Sequence, residues 1–223
     1  MSLARSTKPT HSKIAAYAIY ASFFVILAAI ALIITSFQSG RIGQDAANLY
    51  LTVAVSLFFP SLALSYMLNR GIKTSELAKS LFLSNISARI IGIGLVIFFI
   101  LFTMEVLTGL ISTVSGTQID TNVGLLLSGA PIWFYIFSAI IAPINEEIFF
   151  RGFLVPRIGI VLSAAVFAIL HASYGSTFGV EIIAAFIFGI VAGYVVKRTK
   201  SLYPSIIAHI LINAIAVLSF AVV

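Results

Sequence analysis

Seven long runs of apolar residues, separated by short polar connections, constrain most strongly what this chain can fold into. They cover roughly residues 14–37, 48–68, 86–110, 131–156, 160–173, 178–196 and 202–223. About 20 apolar residues are enough for a helix to cross a bilayer. Only 9% of the 223 residues are charged and 61% are hydrophobic, whereas a soluble domain has about 25% charged residues. We therefore predict an all-α, polytopic membrane helical bundle of about seven transmembrane helices.

The basic residues predict how the bundle is oriented. With a cytoplasmic N-terminus, twelve of the thirteen Lys and Arg residues lie on the cytoplasmic side, and only Arg41 lies outside. The twelve are Arg5, Lys8, Lys13, Arg70, Lys73, Lys79, Arg89, Arg151, Arg157, Lys197, Arg198 and Lys200. Cytoplasmic segments of membrane proteins are rich in Lys and Arg, so this orientation is favoured. Residues 70–80, which hold three of the twelve, are expected to form a polar loop.

Composition also excludes several functions. The chain has no cysteine, which rules out disulfides, thiolate metal ligands and a cysteine nucleophile. Its net charge of +6 is explained by the basic residues of the cytoplasmic loops. The sequence lacks the basic stripe with interleaved aromatic residues that would indicate nucleic-acid binding. We expect the lipid bilayer as a partner and no nucleic acid. The first apolar run, of about 24 residues, exceeds the ~7–15 of a signal-peptide core, so we predict that it is a retained helix.

The fourth apolar run contains polar residues that are costly in a membrane, namely Asn145, Glu146, Glu147 and Arg151. A central Glu or Arg costs on the order of 2.5–3.5 kcal/mol to insert and usually faces the bundle interior or a wet cavity. Glu147 and Arg151 are four residues apart, so they can form an ion pair on one helix face. Glu146 is rotated by about 100° from Glu147 and has no partner on its own helix. We assign Glu147 and Arg151 a structural role and Glu146 the chemical one, with a purely structural network as the alternative.

Three further polar residues lie within apolar runs. His171 is near the end of the fifth run, while His209 and Asn213 are four apart on one face of the seventh. At 1.5 Å per residue, Glu146, His171 and Asn213 each lie about 15–16 Å from the cytoplasmic end of their helix, and His209 about 10 Å. This common depth predicts one shared site, although each residue alone fits a packing role as well.

These residues form three motifs in chain order. They are EExxxR at 146–151, FxxxH at 167–171 and HxxxN at 209–213. In this order they resemble the signature of the CPBP family of CAAX proteases and bacteriocin-processing enzymes, also called ABI, over roughly residues 131–214. The resemblance implies an intramembrane glutamic endopeptidase of a prokaryotic plasma membrane, acting on membrane-associated peptides or proteins. With the apolar runs and the basic residues, it predicts a cytoplasmic tail at 1–13, N-terminal transmembrane helices at 14–128 and a catalytic helical core at 129–223.

The motifs suggest a hypothesis for the mechanism. Glu146, helped by His171, would take a proton from a water aimed at the scissile carbonyl, and His209 and Asn213 would stabilise the oxyanion. No cofactor or metal is expected. A zinc-dependent protease using the same residues is one alternative, and a transporter or channel is a second. A peptide-binding immunity protein without catalysis is a third.

Overall fold

A computed structural model describes residues 11–84, 86–115, 129–171 and 180–221, and the regular structure within these ranges is helical. The helices are α1 (His11–Gln38), α2 (Gln44–Asn69), α3 (Leu77–Ser80), α4 (Ala88–Ser115), α5 (Ile132–Ile158), α6 (Ile160–His171), α7 (Val180–Thr199) and α8 (Tyr203–Ala221).

The predicted fold class is confirmed. Five helices, α1, α2, α4, α5 and α7, are long and apolar enough to cross a membrane, and α6 and α8 are shorter apolar helices. Together they match the seven apolar runs of the sequence. Most of the predicted tail, residues 1–10, and most of the connection before α5, residues 116–128, lie outside the described residues. The proposed domain boundaries at 13 and 128 therefore stay predictions.

Helix α5 occupies the centre of the bundle and packs against α2, α6, α7 and α8. Helix α1 lies outside α2, α4 lies outside α8, and α6 packs along α7. The contact between α6 and α7 is close because Gly189 and Gly193 have no side chains there. A Cβ added to Gly189 would lie 2.7 Å from Cβ of Ala164, closer than packed carbon atoms approach. The glycines thus bring α6 and its histidine against the rest of the core.

Helix α5 is not a regular α-helix. It begins at Ile132 after Pro131, as the sequence predicted, but Phe137–Ile141 and Ile148–Leu154 are π-helical and flank an α-helical segment, Ala142–Glu147. The wider π turns loosen the regular backbone hydrogen bonding. A carbonyl in each π segment accepts a hydrogen bond from another helix: that of Ser138 from Asn213 Nδ2 at 3.1 Å, and that of Phe150 from Ser163 Oγ at 2.7 Å. π turns occur frequently at functional sites.

The prediction that residues 70–80 form an irregular polar loop is wrong, because part of this connection is helical. This connection contains a helical turn, Thr74–Glu76, followed by α3. Leu77 and Leu81 are buried and are four residues apart, so they share one face of the short helix and anchor it against the bundle. A Cβ added to Gly152 of α5 would lie 3.2 Å from Cδ2 of Leu81. Burial of these two leucines therefore orders a segment whose polar residues had suggested a loop.

Candidate active site

Glu146 faces two imidazoles contributed by two other helices. Its Oε2 atom lies 3.8 Å from Nε2 of His171 on α6 and 3.7 Å from Nε2 of His209 on α8. The Glu146 side chain is 20% exposed, that of His171 25% and that of His209 5%. Three of the four residues that were predicted to share one depth, Glu146, His171 and His209, thus lie together. The atoms of this site are sheltered, yet Glu146 and His171 keep a partly open side.

The second nitrogen of each imidazole is held by a hydrogen-bond acceptor. Nδ1 of His171 lies 2.9 Å from the carbonyl oxygen of Phe167, and Nδ1 of His209 lies 3.0 Å from Oε1 of Glu147. A carbonyl or carboxylate oxygen can only accept, so both Nδ1 atoms carry the hydrogen. In the neutral rings both Nε2 atoms then present a lone pair toward Glu146. The orientation of a histidine's reactive nitrogen is commonly set in this way by the bond that its other nitrogen makes.

The predicted ion pair between Glu147 and Arg151 is present and is buried. Arg151 Nη1 donates to Glu147 Oε1 at 2.8 Å, and the two side chains are 1% and 0% exposed. The same Oε1 atom also accepts from His209. Glu147 therefore connects the ion pair to one imidazole of the site, a link between α5 and α8 that the spacing within one helix could not reveal.

Two phenylalanines enclose the Arg151 guanidinium. Its Cζ lies 4.1 Å from the ring centroid of Phe167 and 4.7 Å from that of Phe188. The centroid of Phe188 is also 5.0 Å from that of the His209 ring. A cation near an aromatic face is stabilised by the ring quadrupole, more so when it is desolvated. Sequence reasoning assigned Phe188 no part in the site, because a phenylalanine in an apolar helix is indistinguishable from ordinary core residues.

The remaining polar residues near the site bond across helices. Asn213 lies one turn after His209, and its amide nitrogen donates to Ser138 of the first π segment at 3.1 Å. That bond uses one of the two amide hydrogens. Asn145, next to Glu146, donates from Nδ2 to Ser56 Oγ on α2 at 3.2 Å. These bonds tie the Glu146 segment of α5 to its neighbours on two sides.

Glu146, His171 and His209 could hold either a water molecule or a metal ion. Glu146 Oε2 lies 3.8 and 3.7 Å from the two Nε2 atoms, and the potential ligand atoms of the three residues all lie within 4.8 Å of one another. A point equidistant from the three atoms is therefore at most about 2.4 Å from each. A water oxygen slightly out of their plane would reach all three at ~2.8 Å, an ordinary hydrogen-bond length. Zinc bonds of about 2.0–2.1 Å would require the side chains to close in by a few tenths of an ångström. The geometry accommodates water as it stands and zinc after a small adjustment.

The fold and the site together define a helical membrane protein in which a glutamate of α5 meets one histidine of α6 and one of α8. Residues 128–215 match the model of a protein family described as "Type II CAAX prenyl endopeptidase Rce1-like". The match covers the region that holds all three motifs, and it confirms the resemblance drawn from them. At the level of the family, this match supports a CAAX-type membrane protease. No match was found among curated proteins or among solved structures.

Proposed function

We propose that the chain is an intramembrane endopeptidase in which Glu146 activates a water molecule for hydrolysis of a peptide bond. The observation that carries the proposal is the convergence of Glu146 Oε2 with two imidazole Nε2 atoms at 3.7 and 3.8 Å. Glu146 Oε2 is buried and has no hydrogen-bond partner among the described residues. A buried carboxylate oxygen left without a bond is costly, and a water bound between the three groups would satisfy it.

The reaction follows the ordinary course of general-base hydrolysis. Glu146 takes a proton from the water as the oxygen forms a bond to the scissile carbonyl carbon. His171 accepts a hydrogen bond from the same water through Nε2 and fixes its direction. Collapse of the tetrahedral intermediate breaks the C–N bond, and the proton held by Glu146 passes to the leaving nitrogen. The carboxylate is then regenerated for the next cycle.

The oxyanion requires hydrogen-bond donors, and His209 and Asn213 are the candidates. His209 can donate from Nε2 only when it is protonated, because its Nδ1 hydrogen is already bonded to Glu147. Asn213 has a second amide hydrogen beyond the one bonded to Ser138. Removing one donor of this kind usually costs about 10²–10³ in rate.

The substrate is proposed to be a membrane-associated peptide or protein that reaches the site from the bilayer. The site lies among apolar helices, and the family description names prenyl endopeptidases. A lipid-modified C-terminal peptide is therefore the first substrate to test. A farnesylated CAAX peptide and its unmodified counterpart, both presented in liposomes, separate a need for the lipid from a need for the peptide alone.

The experiment that tests the proposal is Glu146→Gln, assayed for cleavage in proteoliposomes. We expect turnover to fall by at least 10²-fold, because the amide keeps the shape of the carboxylate but cannot act as a base. Glu105→Gln is the matched control, since Glu105 is a glutamate of another candidate membrane helix, α4, and is remote in sequence from the three motifs. Near-wild-type cleavage by Glu146→Gln would end the proposal. If no test peptide is cut, membrane proteomics of cells carrying either form reveals any precursor that accumulates.

A zinc hydrolase is the second candidate, because the site has one specific feature of zinc centres. Metal-bound histidines commonly donate their other nitrogen's hydrogen to a carboxylate or a backbone carbonyl, as His171 and His209 do here. Prolonged chelator treatment followed by metal-free assay separates the two candidates. A zinc enzyme loses activity and regains it on addition of Zn²⁺, whereas the glutamate-activated enzyme keeps its activity throughout.

A further inference from the structure

One end of the bundle is strongly basic. The connections α2–α4, α5–α6 and α7–α8 meet there, and the first and last are joined by hydrogen bonds from Leu202 N to Phe82 O and from Tyr203 Oη to Leu83 O, both 2.9 Å. This end, called the basic end below, has one acidic residue, Glu76, on these connections. Its exposed basic residues are Arg70, Lys73, Lys79, Arg89, Arg157, Lys197, Arg198 and Lys200.

A cavity of about 280 Å³ opens at the basic end between these connections. Two lysines, Lys197 and Lys200, line it together with the apolar side chains of Phe82, Val155 and Pro156. Lys197 is in the last turn of α7 and Lys200 directly follows the helix, and both side chains border the same cavity. The cavity thus presents two positive charges beside an apolar wall, at the level where α5 ends and α6 begins.

The backbone at this cavity adopts a conformation that side chains usually avoid. Among the described residues, the non-glycine residues with positive φ are Phe82, at 60°, and Lys200, at 53°. Both line the cavity. Each follows the last turn of a helix, α3 or α7, at a position where glycine is the usual residue. Helix α2 has the usual arrangement, with Gly71 at φ 86°.

Side chains kept at such positions despite their conformational cost point to a function for those side chains. Glycine would close α3 and α7 with less strain, as it does for α2. Glycine at position 200 would remove one lysine charge from the cavity, and glycine at position 82 would remove its aromatic wall. The two residues therefore support a binding role for the cavity, on grounds that do not depend on the overall charge of the basic end.

Neighbouring arginines differ from Lys197 in having partners within the protein. Arg157 Nη1 donates to the carbonyl oxygen of Phe153 at 2.6 Å, and Arg198 Nε donates to Tyr194 Oη at 3.1 Å. No described side chain or carbonyl pairs with Lys197. Its ammonium group is available for an external anion at the rim of the cavity.

We propose that this cavity binds the head group of an anionic phospholipid. The phosphate would lie between the ammonium groups of Lys197 and Lys200, and the glycerol and first acyl carbons would contact Phe82 and Pro156. Basic pockets between transmembrane helices are known to take anionic head groups, and each Lys near an anionic surface adds to the attraction. A lipid fits better than a free anion, because its apolar part can contact the apolar wall of the cavity, whereas a phosphate ion has no apolar part. The site is separate from Glu146 and does not depend on the proposed hydrolysis.

The test measures retention of dioleoyl-phosphatidylglycerol against dioleoyl-phosphatidylcholine by native mass spectrometry of the purified full chain. We expect the wild type to prefer the anionic lipid, and Lys197→Gln/Lys200→Gly to weaken its binding by roughly 30-fold. Glycine is chosen at position 200 because it favours the φ observed there, so the variant should melt no lower than the wild type. Should it melt lower, Lys200→Gln removes the charge without touching the backbone preference. Arg198→Gln, next to Lys197 in the last turn of α7, is the matched control and should retain the lipid.

Four outcomes would overturn the proposal. The first is equal retention of both lipids by the wild type, and the second is unchanged binding by a folded double-lysine variant. The third is complete displacement of the phospholipid by millimolar inorganic phosphate, which would assign the cavity to a free anion. Failure of Arg198→Gln to bind would also count against it, since binding would then follow general surface charge. Cleavage activity is not read in this experiment, so its result stands apart from that of Glu146→Gln.

Discussion

Replacement of the buried Glu147–Arg151 pair tests both the stability and the site geometry. Glu147→Leu leaves the Arg151 guanidinium charged and unpaired in a position only 1% exposed. Arg151→Met leaves the Glu147 carboxylate buried in the same way. Breaking one partner of a buried ion pair typically costs about 3–5 kcal/mol. We expect each single variant to lose that much of its free energy of unfolding.

The double variant Glu147→Leu/Arg151→Met should be much more stable than the sum of the singles. It contains no unpaired charge, and apolar side chains of similar size often replace a buried pair without loss. What remains is the Nδ1 hydrogen of His209, which has lost its acceptor, at a cost of about 1–3 kcal/mol. The two single variants should together lose at least ~6 kcal/mol of unfolding free energy, whereas the double variant should lose at most ~3 kcal/mol. The difference, a coupling energy of at least ~3 kcal/mol, measures the interaction of the two side chains.

Activity should not recover with stability in this double variant. His209 would no longer be held in the tautomer that turns Nε2 toward Glu146, and loss of such a positioning contact costs about 10–100-fold. Reversible unfolding in mixed SDS micelles measures the stability, and cleavage in proteoliposomes measures the activity. Glu105→Leu, which removes an exposed glutamate on α4, is the control and should not destabilise the fold. Additive single losses, or a double variant with full activity, would refute the reasoning.

Two further predictions concern packing around the site. Phe188→Leu keeps most of the side-chain volume but removes the ring face that contacts the buried guanidinium 4.7 Å away, so we expect a loss of about 1–2 kcal/mol in unfolding free energy and a several-fold lower turnover. An unchanged melting temperature would show that the ring acts only as volume. Gly189→Ala places a methyl group 2.9 Å from the backbone Cα of Ala164, and we expect it to destabilise by about 1–3 kcal/mol. Gly109→Ala, where a Cβ would meet nothing within 4 Å, should stay within about 0.5 kcal/mol, and equal effects of the two would argue against a tight contact.

Some features of this protein are local and could be predicted residue by residue. Apolar runs give the helices and most of their ends to within a few residues, and Pro131 directly before α5 is a residue typical of a helix start. The spacing of four between Glu147 and Arg151 predicts their ion pair, because side chains four apart on a helix are neighbours. The rise per residue predicts that Glu146, His171 and His209 lie at one depth. Each of these conclusions needs only the geometry of a single helix.

Other features depend on how the helices are rotated and packed, which an apolar sequence does not specify. A helix that is apolar all round carries no signal of which face meets which neighbour. The bond from His209 to Glu147, and the enclosure of Arg151 by Phe188, therefore became visible only in the structure. The π turns of α5 and the left-handed backbone of Phe82 and Lys200 likewise became visible only in the structure. Sequence determined which chemical groups enter the membrane and at what depth, and tertiary packing decided which atoms of those groups face each other.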